Sequence, residues 1–403
     1  MADRHRAGFQ SVTRLADARR QWLDLIAPHD RIDSVPPDEA AGRVLAASVD
    51  AHRPVPHFER AAMDGYAVRA TDTTGAGARS PRRLQPASGS ISAGDAVRVH
   101  TGQPIPEGGD AVVMIEHVTQ RADELAVESA AAPGENVSPV GEDIPAGKTL
   151  FDAGHRLGPA DIALLKATGV TEIPVRDPPT VGVVPTGEEL VAADPDPGEV
   201  VETNGTMVAG LVEQWGGQAT KAEIVTDDVD RLSDAIVRRT DRDLLVTTGG
   251  SSVGDRDLLP EVIESVGELV VHGVAIKPGH PLGFGTVDET PVLILPGYPV
   301  SCYVGALQLL RPSLAHAVGR TPPSIHTFAA ELDGKIASEP GVRTFGRVRQ
   351  SEDNPDRVEP IRVAGASVLS SVTAADGWVV VPESVEGYEA GERVRVEDWR
   401  ATR

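Results

Sequence analysis

Three short stretches of the 403-residue chain carry side chains that could do chemistry. They are Thr186-Gly187-Glu188-Glu189, Thr247-Thr248-Gly249-Gly250-Ser251-Ser252-Val253-Gly254-Asp255 and Pro296-Gly297-Tyr298-Pro299-Val300-Ser301. Each follows a strand candidate, and ligands of open α/β sheets sit beyond the carboxyl ends of strands. A Gly-Gly-Ser-Ser turn entering a helix exposes backbone N–H groups and hydroxyls, which can cradle a phosphate. A tight strand-to-helix turn without a ligand fits the same residues equally well. The Gly-Lys-Ser/Thr ending of a Walker loop is missing, so this is no ordinary P-loop.

Glu188, Asp227, Asp255 and Asp257 fall at or just after the expected strand ends. Carboxylates beside a phosphate repel it unless a divalent cation lies between. Mg2+, held by a few carboxylates with phosphate and water, would bridge them. The competing reading is a set of solvated acidic side chains. Ile276-Lys277-Pro278-Gly279-His280-Pro281 sets a lysine in a rigid loop. A compact ammonium suits a tetrahedral oxyanion or a phosphate, though a plain surface lysine fits too. Asp64-Gly65, inside the compact run Phe58–Ala67, reads as a turn pair and no more.

Residues around these stretches show which elements must hold them. Up to residue 50 the pattern reads as helical: Val12–Ile26 has helical spacing, and Pro36–Ala40 starts a helix that continues through Ala41–Ala47. From Pro54 to Val140 the chain is rich in Pro, Gly and short Val runs, with strands expected over Ile91–Val99 and Ala111–Val118. A helix returns over Leu157–Thr168, closed by Gly169. After Pro178-Pro179, strands and helices alternate. Strands are expected at Val181–Val184, Ala222–Val225, Asp243–Thr247, Leu269–Val271 and Val292–Leu295. Helices are expected at Thr206–Gln214, Val229–Val237, Asp257–Val266 and Val300–Leu310. This predicts a mostly parallel sheet covered on both faces. Beyond Thr321-Pro322-Pro323, five short strand candidates suggest a small β-barrel or sandwich. The fold class is thus multidomain α/β and β. Its parts are a helical linker region (1–50 with 141–178), a β-rich insertion (51–140), an α/β domain (179–320) and a C-terminal β domain (321–403).

Composition narrows the function classes. The 60 acidic and 38 basic residues leave a net charge of −22, and only five of the basic residues are lysines. In molar salt the Debye length is ~3 Å and the self-repulsion is screened, so the balance reads as halophilic adaptation. An ordinary acidic cytosolic protein is the alternative. No basic run offers a nucleic-acid surface. The apolar runs are too short to span a bilayer, and the N-terminus lacks a signal-peptide core. Cys302 is the single cysteine, so neither an intramolecular disulfide nor a Cys-rich metal site is possible. A soluble cytoplasmic protein is expected.

Five stretches together resemble the molybdopterin molybdenumtransferase family, of the bacterial MoeA and gephyrin E-domain type. They are Ala62-Met63-Asp64-Gly65-Tyr66-Ala67; Thr101-Gly102 with Pro106-Glu107-Gly108; Gly141-Glu142-Asp143-Ile144; Thr248-Gly249-Gly250 through Gly254-Asp255; and Ile276-Lys277-Pro278-Gly279 with Leu295-Pro296-Gly297. The resemblance implies an enzyme that takes adenylylated molybdopterin and molybdate, cleaves the adenylate with Mg2+ and inserts the metal, releasing AMP. It implies a molybdopterin-binding α/β domain and an elongated homodimer whose cleft both subunits border. The substrate would be handed over by a molybdopterin adenylyltransferase. Glu59, Thr101, Asp143, Glu188, Asp227 and Asp257 then match catalytic positions, with Glu188, Asp227 and Asp257 as magnesium ligands. Thr248, Gly249, Gly250, Ser251 and Ser252 match the pterin-phosphate turn. Lys277, His280, Ser301, Arg347 and Ser367 match the oxyanion site, shaped by Pro296 and Pro299. Several positions depart from the family pattern. Glu59 stands for aspartate, Arg60-Ala61 for Asn-Ser, His280 for a second lysine, Tyr298 for asparagine and Ala366 for a serine. Two other readings fit the same residues: a tungstate-selective paralogue, and a non-catalytic molybdopterin-binding or scaffold module.

Overall fold

The computed structural model describes residues 12–249, 258–322, 324–361 and 365–399. Two compact units emerge, one built from residues 1–31 and 177–403 and the other from residues 32–176.

The first unit centres on a six-stranded sheet. Its order is Gln218–Lys221, Thr180–Pro185, Leu244–Thr248, Thr290–Leu295, Gly283–Val287, Gly267–His272. The first four strands pair in parallel and the last two join antiparallel. Alternation along the central strands sends side chains to opposite faces. Val181, Val183, Leu244, Val246, Leu293 and Leu295 meet the helices Asn204–Gln214 and Pro299–Gly305. On the other face Leu245, Val292 and Ile294 meet the helices Val229–Val237 and Leu259–Val266. The helix Leu15–Asp24 joins the first of these cores through Leu15, Ala18 and Trp22, spaced three and four apart and fully buried. The Trp22 indole donates to Ser313 Oγ at 2.6 Å. Truncating a tryptophan so placed would cost about 3–5 kcal/mol.

The C-terminal strands close into a barrel. Arg343–Gln350, Arg357–Pro360, Thr327–Leu332, Arg393–Glu397 and Gly377–Val381 pair in that order, and the last pairs back onto the first. Leu332, Val348, Val358, Val379, Val381 and Val396 fill it. Ile276–Lys277 adds itself in parallel to Arg343–Thr344 and ties the barrel to the loop carrying the lysine.

The second unit contains a six-stranded sheet ordered Ala111–Met114, Gly65–Val68, Asp95–Val99, Arg82–Ala87, Glu124–Val127, Val118–Arg121. Its other part joins the helix Pro159–Ala167 to the strands Ile32–Val35, Ile173–Arg176 and Val44–Leu45 around Val35, Leu45, Leu165, Ile173 and Val175.

The structure corrects several sequence expectations. The stretch up to residue 50 is not helical after Asp24. Pro37–Glu39 makes one 3-10 turn, Gly42 takes φ +79°, and Val44–Leu45 forms a strand against Val175 and Arg176. A left-handed glycine ends a helix, and β-branched valines suit the ladder that follows. The strand expected at Ala222–Val225 lies instead at Gln218–Lys221. It is an edge strand, and the apolar-run template of a buried strand misplaces it. The strand Gly283–Val287 is missing from the sequence expectation, because its glycines read as loop. A Cβ on Gly285 would stand 2.1 Å from the Glu268 carbonyl oxygen, so close pairing there requires glycine. Ile91–Val99 starts as a strand only at Asp95, after Gly94 at φ +85°. Ala111–Val118 leaves the ladder at Met114 for a 3-10 turn over Ile115–His117.

Candidate functional site

Three parallel strands of the first unit end in register: Pro185 lies opposite Thr248, and Thr248 opposite Leu295. The loops beyond them are stitched together by backbone. Thr186 N–H donates to the Thr248 carbonyl at 3.1 Å, Gly249 N–H to Leu295 at 3.2 Å and Gly187 N–H to Val225 at 3.2 Å. Gly249 sits at φ +124°, and a Cβ there would come within 2.0 Å of the Thr186 carbonyl oxygen. Only glycine lets these two loops approach so closely. The hydroxyls of Thr186, Thr247 and Thr248 are buried and have no hydrogen-bond partner among the described residues. Burying such a group unpaired costs about 1–3 kcal/mol, which a polar ligand can relieve. Thr247 and Thr248, successive in one strand, face opposite sides of the sheet. Asn204 donates from Nδ2 to the Gly297 carbonyl at 2.6 Å, fixing the start of its helix against the Pro296-Gly297 turn. Behind it the buried Glu202 accepts from Gly205 N–H at 2.5 Å and Lys221 Nζ at 2.8 Å. Gly250, Ser251, Ser252 and Asp257, the expected cradle and its carboxylate, lie outside the described residues, as does Asp255.

Glu188 and Asp227 come from adjacent loops, because Thr186 bridges Val225 in parallel. Glu188 is exposed and Asp227 half-buried. Among the described residues no group of three or more His, Cys, Asp or Glu could hold a metal ion by itself. Two carboxylates on neighbouring loops suit Mg2+ in company with phosphate oxygens and water, the way this ion is usually held.

A second group of elements converges beside the turn at Pro299. The Lys277 loop reaches it through Gly279, where a Cβ would stand 3.6 Å from the Ser301 carbonyl oxygen. Val300 N–H donates to the Ala366 carbonyl at 2.9 Å, which sets exposed Ser367 next to the helix start. Arg347 Nη1 donates to Ser371 Oγ, which in turn donates to the Val368 carbonyl at 2.5 Å. The positions of Lys277, Ser301, Arg347 and Ser367 are thereby drawn to one neighbourhood. Lys277 Nζ is exposed and paired with Glu339 at 2.7 Å. Burial pushes the half-buried Arg347 guanidinium below its usual range. Burial also lowers His280, with Glu339 pulling the other way, so its imidazole is neutral at pH 7. Pro296 is buried at the strand end, and Pro299 opens the helix that holds Ser301, itself only 3% exposed.

The other unit has its own constellation. Asp64 Oδ1 accepts from both the N–H and the hydroxyl of Thr101, each at 2.8 Å, and His100 Nδ1 lies 3.4 Å from Oδ2. The Thr101 backbone bond, then its hydroxyl, then His100 hold the Asp64 carboxyl at about 2. The Thr101 hydroxyl donates to Asp64 and so presents its lone pairs outward. Glu59 is exposed beside this turn, with its carbonyl accepting from Ile105 N–H at 3.1 Å. Asp143 is placed by its N–H on the Val55 carbonyl at 3.0 Å, and its side chain is exposed.

Sequence reasoning misses Asn204 altogether, and Asp64, Thr186 and Thr247 enter it only as members of quoted stretches, without a role of their own. Asp64 passes as half of a turn pair, and its partner lies 37 residues away. The threonines do carry a signal, since a hydroxyl at the last buried position of a parallel strand marks the ligand end of the sheet.

Residues 13–169 match the family model of the MoeA N-terminal region (domain I and II), residues 182–316 that of the "Probable molybdopterin binding domain" and residues 329–399 that of the MoeA C-terminal region (domain IV). Molybdopterin molybdenumtransferase 2 of Mycobacterium tuberculosis is 34% identical, over 91% of this chain and 94% of its own. The molybdopterin molybdenumtransferase of Haemophilus influenzae is 30% identical, over 96% and 98%. The crystal structure of the molybdopterin biosynthesis MoeA protein of Pyrococcus horikoshii superposes with a TM-score of 0.82 at 34% identity, covering 96% of this chain and 99% of that one.

Proposed function

The chain belongs to the MoeA family, and from that premise we propose that it is a molybdopterin molybdenumtransferase. It accepts adenylylated molybdopterin and molybdate and releases molybdenum cofactor and AMP. The observation that carries this reading is the order of the three matched regions along one chain. Buried threonine hydroxyls without partners among the described residues, at the strand ends of the region matched as molybdopterin-binding, support it.

In this reading Thr186, Thr247, Thr248 and the backbone of Gly249 receive the pterin phosphate, together with Gly250, Ser251 and Ser252. Glu188, Asp227 and Asp257 hold Mg2+, which when bound offsets the charge of the adenylate phosphates. Lys277, Arg347, Ser301 and Ser367 orient the oxyanion by charge-assisted hydrogen bonds, in a loop shaped by Pro296 and Pro299. His280 adds charge there only when protonated. Thr101, oriented by Asp64, acts with Glu59 and Asp143 at the reacting centre, in a homodimer whose cleft both subunits border. The substrate arrives from a molybdopterin adenylyltransferase in the cytoplasm. Tungstate, alike in size and charge, competes for the same donors.

The test is AMP release by the purified chain given adenylylated molybdopterin, Mg2+ and molybdate, across a KCl series up to molar salt. Release that stops with a chelator and resumes with Mg2+ is expected. Substrate binding with no AMP at any salt concentration would make the chain a non-catalytic binding module. Replacing molybdate by tungstate in the same assay separates the two metal specificities.

A further inference from the structure

A cavity of about 260 Å3 opens in the first unit, away from the strand ends, where the helix Leu15–Asp24 and the π-helical turn Ala306–Leu310 face the barrel. Three arginines line it: Arg19 from the first helix, Arg311 from the helix after the π turn and Arg343 from a barrel strand. All three are half-buried, in a chain whose net charge is −22. Among the described residues Glu397 is the one carboxylate in the wall, and its Oε2 already accepts from the Trp378 indole at 2.7 Å. Glu383, outside the lining, pairs with Arg343 at 3.0 Å.

Guanidiniums do not shed their charge at ordinary pH, so gathering them in a partly dry cavity carries a standing electrostatic cost. Burial lowers Arg19 and Arg311, and the nearby Arg343 lowers Arg19 further, while Glu397 pulls both the other way. The fold nevertheless holds Arg19 rigidly. Its Nε donates to the Gln308 carbonyl at 3.1 Å and its Nη2 to Gln308 Oε1 at 2.5 Å, so the π turn presents both acceptors. π turns often mark functional positions. The lining residue Phe345 is equally fixed, at one end of a ring cluster behind the wall. Phe345, Trp378, Trp399 and Tyr303 form an edge-to-face ladder with centroids 4.9, 4.6 and 5.4 Å apart. These are four of only fourteen aromatic residues in the chain. Phe345, Ile325 and Val380 give the cavity apolar lining beside the arginines.

We propose that this cavity binds a compact organic dianion, a phosphate monoester or a dicarboxylate, with its charged head among Arg19, Arg311 and Arg343 and its apolar body against Phe345, Ile325 and Val380. A planar guanidinium fork matches carboxylate and phosphate oxygens bidentately. The volume lies just under the roughly 300–1,000 Å3 of ordinary ligand pockets, which selects a small molecule. A bare inorganic anion would leave the apolar lining unused. None of the residues involved belongs to the proposed transferase site.

The test is calorimetric titration of the full chain with phenyl phosphate, phthalate and inorganic phosphate in turn. One saturable site per chain is expected for phenyl phosphate or phthalate, at least tenfold tighter than for inorganic phosphate; the tighter of the two names the head group. Arg311→Gln and Arg19→Gln should each weaken it tenfold or more, a change of about 1.4 kcal/mol per decade. Lys277→Ala should leave it unchanged. If Arg311→Gln lowers the thermal midpoint sharply, Arg311→Lys replaces it, keeping the charge while removing the fork. Absence of saturable binding by all three probes would overturn the proposal. So would binding that survives the arginine substitutions but is lost in Lys277→Ala, which would place the anion at the oxyanion loop.

Discussion

Asp64 in the unit 32–176 and Thr186 in the unit 1–31 and 177–403 are both polar residues next to the end of an interior strand, yet their surroundings are opposite. Asp64 is exposed and takes two hydrogen bonds from Thr101, with His100 beside it. Thr186 is buried and its hydroxyl finds no partner among the described residues. The first constellation is complete within the chain and prepares one hydroxyl for use. The second is polar surface held ready in a dry place, which becomes favourable only when a ligand supplies the missing partners. The two units thus differ: one holds an oriented hydroxyl, the other buried hydroxyls without partners among the described residues.

The comparison breaks most visibly at Gly249. Gly249→Ala should drive a Cβ into the Thr186 carbonyl and impose a side chain on φ +124°. A cost of about 2–4 kcal/mol is expected from strain and displacement together, lowering the thermal midpoint by roughly 5–10 °C and abolishing AMP release. Gly89→Ala in the other unit has φ +88° with nothing within 4 Å of the new methyl. It should lose only the φ term, about 1–2 kcal/mol. Equal shifts in the two proteins by calorimetry would show that the close approach at the strand ends contributes nothing.

A smaller effect should follow from Asp64→Asn. Both Thr101 bonds end on Oδ1, which as an amide oxygen still accepts them but without the negative charge, while an NH2 replaces the Oδ2 that faces His100. Turnover should fall about tenfold while the circular dichroism spectrum is kept, as for loss of a positioning hydrogen bond. The pH sign follows from the lowered carboxyl. A folded pKa of about 2, against an ordinary 3.8, makes the network fully present above 3.8 and lost only as pH falls through 2. The Thr101 amide resonance should therefore stay in place from pH 7 to 4 and move below that. Movement centred near 4 would mean that the bonds to Asp64 do not form in solution.

The same contrast explains which features are legible in the amino-acid sequence. Parallel strands such as Leu244–Thr248 announce themselves, because a strand buried on both faces is a continuous apolar run. Their carboxyl ends locate the ligand side of the sheet, and the Thr248-Gly249 turn is marked in that way. Pairings set by close approach or distant contact are not legible. Gly283–Val287 hides behind its glycines, and Asp64 is tied to a turn 37 residues on. The Arg19, Arg311 and Arg343 cluster draws on positions separated by more than 290 residues, and no local pattern marks any of them. Lys277 stands out because lysines are scarce, yet its salt bridge to Glu339 is exposed and worth well under 1 kcal/mol to stability. Scarcity of a residue type points to function there, and the energetics of the folded chain do not.

The smallest expected effect concerns His280, which departs from the lysine that the family resemblance leads one to expect. A lysine would keep its charge across the neutral range, whereas imidazole gains one only below its pKa. Burial lowers that pKa beneath the ordinary 6.5, and Glu339 opposes the shift. Glu339 is itself held low, first by its hydrogen bond to Lys277, so it stays charged throughout the window. For stability the sign is that of a group kept neutral by the fold: the contribution is complete above 6.5 and declines as pH falls through the lowered value. For an oxyanion the sign is reversed, since the protonated ring attracts it. Molybdate affinity should therefore be flat from pH 8 to about 6.5 and rise a few-fold below it, a modest gain because the ring is partly solvated. His280→Lys should raise affinity at neutral pH and remove the rise, and His280→Gln should remove the rise alone. Calorimetric titration with molybdate between about pH 5 and 8 at fixed high salt reads all three proteins. A wild-type curve that overlays His280→Gln at every pH would leave His280 a loop residue, with Lys277 and Arg347 as the anchors.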